Sequence, residues 1–197
     1  MAAEGRRVII GLVSPIGAGK GTVIEFLKGK GFFCSSLSDR IREELARRGD
    51  EITREKLLVT ADQLRQSFGP AFLAEQTWQV VLGNHSARVA IDSIRSLAEV
   101  DFFKSKPGFY LVGITASRKR RFVWAKKRAR EEEPLVWEDF VRVDKQDFLS
   151  GDGKTGRNIP ACLGKSDFLI DNDGTIDDLR RKVTDVLRQI FANGRSS

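Results

Sequence analysis

One glycine-rich stretch, residues 17–22, constrains the fold of this 197-residue chain more than any other feature. It follows the apolar run 8–13 and precedes the amphipathic run 23–27. A buried strand, a glycine-rich turn and a helix in that order are the setting of a phosphate-binding P-loop. The glycines let successive backbone N–H groups and the positive end of the helix dipole point into one concavity. We therefore expect the stretch to bind the phosphates of a nucleotide through Gly17, Ala18, Gly19, Lys20, Gly21 and Thr22.

Two side chains of this loop carry specific expectations. Lys20 is placed to reach the terminal phosphates, and the hydroxyl of Thr22 is placed to bind Mg²⁺. The stretch departs from the usual G-x-x-x-x-G-K-[ST] string at two points, because Ser14 stands where the first glycine belongs and Gly21 separates Lys20 from Thr22.

The rest of the chain alternates between apolar, strand-like runs and helical patterns. Strands are predicted at 31–35, 89–92, 109–114 and 168–170, and helices at about 38–49, 53–68, 71–82, 117–132, 135–148 and 176–190, with a loop at 150–156. This alternation predicts one α/β domain over 1–197, a three-layer fold with a mainly parallel five-stranded sheet flanked by helices. Ligands of such sheets bind beyond the carboxyl ends of the strands.

Composition limits the partners and the compartment. A net charge of +7 and a pI of about 9.6 favour anionic partners, either nucleotides, other phosphorylated metabolites or nucleic acid. Two distant cysteines and one histidine cannot form a zinc site at ordinary spacing. The apolar run 8–13 is too short for a signal peptide core or a membrane span, so we expect a cytoplasmic protein. The sequence gives no sign of oligomerisation, and a monomer is the default expectation.

Asp92 and Arg95 follow the predicted strand 89–92. A carboxylate at the end of an apolar strand is typical of a Walker-B-type Mg²⁺ ligand, although a capping or turn role is the alternative for Asp92. The guanidinium of Arg95 is a planar fork that can bind a phosphate through two hydrogen bonds.

The form G-x-G-K-G-T, together with the order of the other motifs along nearly the whole chain, resembles the nucleoside monophosphate kinases. Residues 11–22 are similar to the P-loops of adenylate kinase and dephospho-CoA kinase, and the run 172–174 (NDG) is similar to phage deoxynucleoside monophosphate kinases. The resemblance implies an ATP- and Mg²⁺-dependent phosphotransferase acting on a nucleoside or deoxynucleoside monophosphate. It also implies an acceptor-binding segment at about 38–83 and a lid-like segment at about 118–158.

The resemblance assigns roles to further residues. Arg42, in a D-x-x-R with Asp39, and Arg95 would grip the acceptor phosphate. Lid arginines would close over the phosphates, and the turn after the last strand would lie beside adenine. The candidates for these two roles are Arg121, Arg128, Arg130 and Arg157 for the lid and Asn172 and Gly174 for the turn.

Two other functions stay open at this stage. A dephospho-CoA kinase would phosphorylate a ribose hydroxyl and would need a base, for which Asp39 is the candidate. A helix-capping role is the alternative for Asp39, and Leu37 replaces the first aspartate of that family's pattern. The other alternative is a P-loop module that binds nucleotide or nucleic acid without phosphorylating a metabolite, but the chain has no recognised nucleic-acid motif. The sequence does not identify the acceptor.

Overall fold

The strands that the sequence predicts form one sheet. The computed structural model describes residues 7–128, 136–148 and 156–193, with 128 and 193 described by their backbone only. In these ranges the strands are β1 (Val8–Val13), β2 (Phe33–Ser36), β3 (Arg88–Asp92), β4 (Phe109–Thr115) and β5 (Phe168–Asp171). Their order is β2-β3-β1-β4-β5, and every neighbouring pair is parallel. The predicted α/β fold with a five-stranded parallel sheet is confirmed.

Helices connect the strands and cover both faces of the sheet. The described ranges contain α1 (Lys20–Gly29), α2 (Leu37–Arg48), α3 (Arg54–Phe68), α4 (Phe72–Leu82), α5 (Leu97–Lys104), α6 (Arg118–Arg128), α7 (Trp137–Phe148), α8 (Ile159–Gly164) and α9 (Ile176–Asn193). None of the helices in these ranges is long and apolar enough to cross a membrane.

The three central strands β3, β1 and β4 are largely buried, as their continuous apolar runs require, whereas the edge strand β5 exposes Leu169. In β1, Ile9 and Val13 face a core shared with α2–α5 and α8, whereas Val8, Ile10 and Leu12 face a second core shared with α1 and α9. This division follows from the two-residue period of a strand. The sheet is therefore the middle layer of three, and its carboxyl edge is left for loops.

The helix boundaries correct several predictions. Helix α2 begins at Leu37 and is capped by Ser36, whose Oγ accepts a hydrogen bond from the Ser38 N–H, so the capping role considered for Asp39 belongs to Ser36. Helices α5 and α8 were not predicted, because eight and six residues are too short to show a helical period. Of the predicted helix 117–132 and loop 150–156, residues 129–132 and 150–155 lie outside the described ranges.

Candidate active site

The predicted P-loop connects β1 to α1. Gly17 and Gly19 have φ values of 76° and 97°, a region that residues with a side chain rarely adopt. A Cβ on Gly17 would lie 2.7 Å from the backbone oxygen of Arg121, and a Cβ on Gly19 would lie 2.3 Å from Nδ2 of Asn172. The two glycines are therefore required both by the turn and by the residues packed behind it.

Two sequence-predicted site residues lie on the back of this loop. Asn172 donates a hydrogen bond from Nδ2 to the carbonyl of Ala18 at 3.0 Å. Arg121 donates from Nη1 to the carbonyl of Ile16 at 2.9 Å and binds both carboxylate oxygens of Asp144. Both side chains are almost fully buried. Neither lines the cleft in front of the loop, so a contact of Arg121 with phosphate would require it to leave Asp144, and its lid role stays a prediction.

The other predicted residues of this side are more distant or not described. Gly174 does not line the cleft, and its carbonyl accepts a hydrogen bond from Arg120 at 3.3 Å. The side chain of Arg128 and the whole of Arg130 lie outside the described part of the chain.

A cleft of about 740 Å³ opens at the carboxyl edge of the sheet. Residues 14–22 form one wall, and residues of α2 and α3 form the opposite wall. Lys20 and Asp92 meet at its floor in a close ion pair, because β3 lies beside β1 and ends at Asp92. Burial lowers the pKa of Lys20 below its ordinary value, and the neighbouring Asp92 opposes that shift. Thr22 also lines the cleft, so both side chains predicted to bind Mg²⁺ are present there.

The residues predicted to bind the acceptor line the same cleft. Arg42 donates a hydrogen bond to Ser38 Oγ at 2.7 Å, and its Nη1 lies 3.8 Å from Oδ1 of Asp39. Arg95 follows Ser93, which has a φ of 67° and turns the chain after β3. The structure therefore brings Arg42, Asp39 and Arg95 together with the P-loop in one cleft.

The cleft is lined by further arginines that the sequence analysis missed or suggested only for another role. Arg54 and Arg65 also line the cleft, as does Arg157, which the sequence suggested only as a lid residue. Arg65 binds Glu99 at 2.8 Å, and Arg157 lies 3.5 Å from Asp62. The pKa of Arg157 is lowered by burial, which its acidic neighbours oppose. Arg54 gave no sequence signal, since it is the first residue of a helix and looks like a solvated charge.

The comparisons with known proteins agree with this geometry at the level of fold. No protein-family model matches the chain. TT1252 from Thermus thermophilus has a TM-score of 0.58 at 17% identity, covering 93% of this chain and 98% of that one. Shikimate kinase from Bacteroides thetaiotaomicron has a TM-score of 0.56 at 14% identity, covering 92% and 98%. The chain thus shares the fold of P-loop kinases.

A sequence relative identifies the family. The UPF0200 protein of Methanothermobacter thermautotrophicus is 31% identical over 191 residues, which cover 96% of this chain and 94% of the relative. Identity of that level over nearly both whole chains shows that this chain belongs to the UPF0200 protein family.

Proposed function

We propose that this protein is an ATP- and Mg²⁺-dependent phosphotransferase whose acceptor is a nucleoside or deoxynucleoside monophosphate. The observation that carries the proposal is the shared cleft, which the P-loop, Arg42 and Arg95 all line. A donor phosphate on the loop and an acceptor phosphate on the arginines would then face each other, and alignment of this kind supplies most of the catalysis in phosphoryl transfer. The shikimate kinase of the same fold is a phosphotransferase by its name.

The donor side has the groups that a triphosphate and a magnesium ion need. Lys20 would neutralise charge on the terminal phosphates, and the backbone N–H groups at the start of α1 would bind oxygens. Thr22 and Asp92 would hold Mg²⁺, since one hydroxyl and one carboxylate complete a shell made otherwise of phosphate and water oxygens. When bound, the ion neutralises the developing charge on the transferred group.

The acceptor side favours an acceptor that is already a phosphate. Arg42 and Arg95 offer planar forks that match phosphate oxygens. An ionised phosphate needs no general base, whereas a hydroxyl acceptor does. Asp39 is the carboxylate that would serve as that base, but its side chain is 52% exposed and lies beside Arg42. The two arginine forks therefore favour a monophosphate over a hydroxyl acceptor.

A panel of acceptors tests the proposal. Purified protein is incubated with Mg²⁺, γ-labelled ATP and each of the ribo- and deoxyribonucleoside monophosphates, with dephospho-CoA and with no acceptor. We expect label in one or a few monophosphates. Label in dephospho-CoA alone would replace the proposal by a hydroxyl kinase with Asp39 as base. Hydrolysis of ATP with no labelled acceptor would favour a nucleotide-binding module.

Two lysine variants control the panel. Lys20→Ala removes the P-loop cation and should abolish transfer. Lys30→Ala makes the same chemical change at an exposed lysine that does not line this cleft, and it should leave transfer unchanged. Equal activity in the two variants would contradict the assignment of the cleft.

A further inference from the structure

Helix α7 carries a buried carboxylate that reaches the acceptor side of the cleft from behind. Asp147 has a side chain that is 1% exposed, and its Oδ1 accepts a short hydrogen bond from Nη1 of Arg95. Its Oδ2 lies 3.8 Å from Nη2 of Arg54. Arg54 and Arg95 line the cleft, but Asp147 does not. The carboxylate therefore touches two arginines of the site without reaching the position of a ligand.

Asp147 is negatively charged at neutral pH. Burial by itself raises the pKa of its carboxyl, but the charges of Arg95 and Arg54 outweigh burial and hold that pKa below its ordinary value. A buried charge of this kind is stable only while its partners stay in place, so the carboxylate and the arginines restrain each other.

This contact fixes the orientation of Arg95. An arginine side chain is long and has many rotamers. Binding a ligand restricts the guanidinium to one of them, which costs conformational entropy. In the described residues Asp147 holds one Nη group of Arg95, which leaves the other edge of the planar fork for an oxyanion in the cleft. The ordering of the fork is thus complete before an acceptor arrives.

A second carboxylate of α7 does the corresponding work at the donor side. Asp144 lies one helical turn before Asp147, is fully buried, and binds Arg118 and Arg121, of which Arg121 holds the back of the P-loop. Helix α7 therefore contacts the arginines behind both walls of the cleft. The two acidic residues act on different walls, which makes their effects separable.

We propose that Asp147 is a positioning residue that sets Arg95 and Arg54 as the fork for the acceptor's phosphate. This inference rests on the proposed function for the identity of the reaction. It assigns no bond-making role to Asp147, since the carboxylate does not reach the ligand. Its effect should be confined to the binding of the acceptor anion.

The test compares two Asp→Asn changes on the same helix. Asp147→Asn removes the charge that holds Arg95 and should raise the KM of the monophosphate found by the panel at least tenfold. The KM of ATP should change less than twofold, because Asp147 makes no hydrogen bond or ion pair with the P-loop among the described residues and has only a minor electrostatic effect on Lys20. Asp139→Asn is the matched control, since Asp139 is exposed on α7 and pairs with Arg142. It should leave both KM values unchanged.

Loss of folding alone would not produce this split. An unchanged acceptor KM in Asp147→Asn, or an equal rise in both KM values, would overturn the inference. If Asp147→Asn does not fold, Asp147→Glu keeps the charge and displaces the carboxylate by one methylene. The same selective rise in acceptor KM is expected for Asp147→Glu, and an equal rise in both KM values would again overturn the inference.

A titration with inorganic phosphate separates this inference from the proposed function. It is done in a Lys20→Ala background and follows the side-chain Nε–Hε signal of Arg95 by NMR. We expect saturable shifts, with a half-saturation concentration at least tenfold higher once Asp147→Asn is added. No shift, or equal half-saturation in the two proteins, overturns the role of Asp147. A wild-type protein that phosphorylates no monophosphate overturns the proposed function alone.

Discussion

Substitution of Gly19 by alanine should destabilise the protein through the P-loop's own geometry. Gly19 has φ 97° and ψ 7°, where a side chain costs about 1–2 kcal/mol. The new Cβ would stand 2.3 Å from Asn172 Nδ2 and would displace that amide from the Ala18 carbonyl, a loss of roughly 0.5–1.5 kcal/mol. Together these effects lower the free energy of unfolding by roughly 1.5–3.5 kcal/mol.

Gly21→Ala is the matched control for this change. Gly21 lies in the first turn of α1, and a Cβ there would meet no atom within 4 Å. Alanine in place of glycine stabilises a helix by up to about 1 kcal/mol, so this variant should be as stable as the wild type or more stable. The two alanine substitutions, two residues apart, should therefore change stability in opposite directions.

Thermal unfolding followed by circular dichroism measures the difference. For a chain of this size 1 kcal/mol corresponds to about 2–4 °C in Tm, so Gly19→Ala should lower Tm by about 3–14 °C. Gly21→Ala should not lower it. A Gly19→Ala variant that melts within about 2 °C of Gly21→Ala would refute the account of the loop and of the support from Asn172.

Three further predictions concern buried and paired charges. Asp144→Asn leaves the buried guanidinium of Arg121 without its counter-charge and should cost about 3–5 kcal/mol in urea unfolding, and a loss below 1 kcal/mol would contradict that role. Burial raises the pKa of Cys162 to about 12 and also raises that of the half-buried Cys34, so iodoacetamide at pH 8 should modify Cys34 slowly in the native protein and Cys162 only after unfolding, as mass spectrometry would show. Hydrogen bonds from two arginines lower the pKa of Glu44 from 4.5 to about 2, so its stabilising effect is present above about pH 4.5 and is lost as pH falls towards 2. Glu44→Gln should therefore flatten the fall in Tm over that window, and an unchanged fall would argue against the pairing.

The fold could be predicted largely because its signals are local. Each strand is a short apolar run followed by a helical pattern, which predicts a parallel sheet. The glycine-rich turn is also a local signal, and the structure has it between β1 and α1 and has Asp92 at the end of β3, as the sequence predicts. The strand order β2-β3-β1-β4-β5 was not predicted, because it depends on which apolar faces pack together and no single run carries that information.

The acidic residues behind the cleft were missed for a different reason. In the sequence Val136, Phe140 and Val143 share one apolar stripe of the helical pattern 135–148, yet the buried positions of α7 are Phe140, Asp144 and Asp147. These three positions have helical spacing, i, i+4 and i+7, so they form one face. The available signal for burial was that the two carboxylates share a helix face with an apolar phenylalanine. It was missed because a charged residue in a sequence is usually taken to be solvated.

The placement of charge around the cleft supports the anionic acceptor that we propose. Seven of the residues lining it are lysine or arginine and three are aspartate or glutamate. Three more acids, Asp62, Glu99 and Asp147, lie outside the lining and pair with its arginines from behind. The arginines thus line the cleft while Glu99 and Asp147 are buried behind them and Asp62 is partly exposed, which stabilises the arginines without covering their cleft-facing sides. A phosphate entering the cleft meets donors whose desolvation and orientation were completed on folding, whereas a neutral acceptor gains nothing from them. For this reason the selectivity for an anionic acceptor should depend on the buried acids as much as on the arginines that touch the ligand.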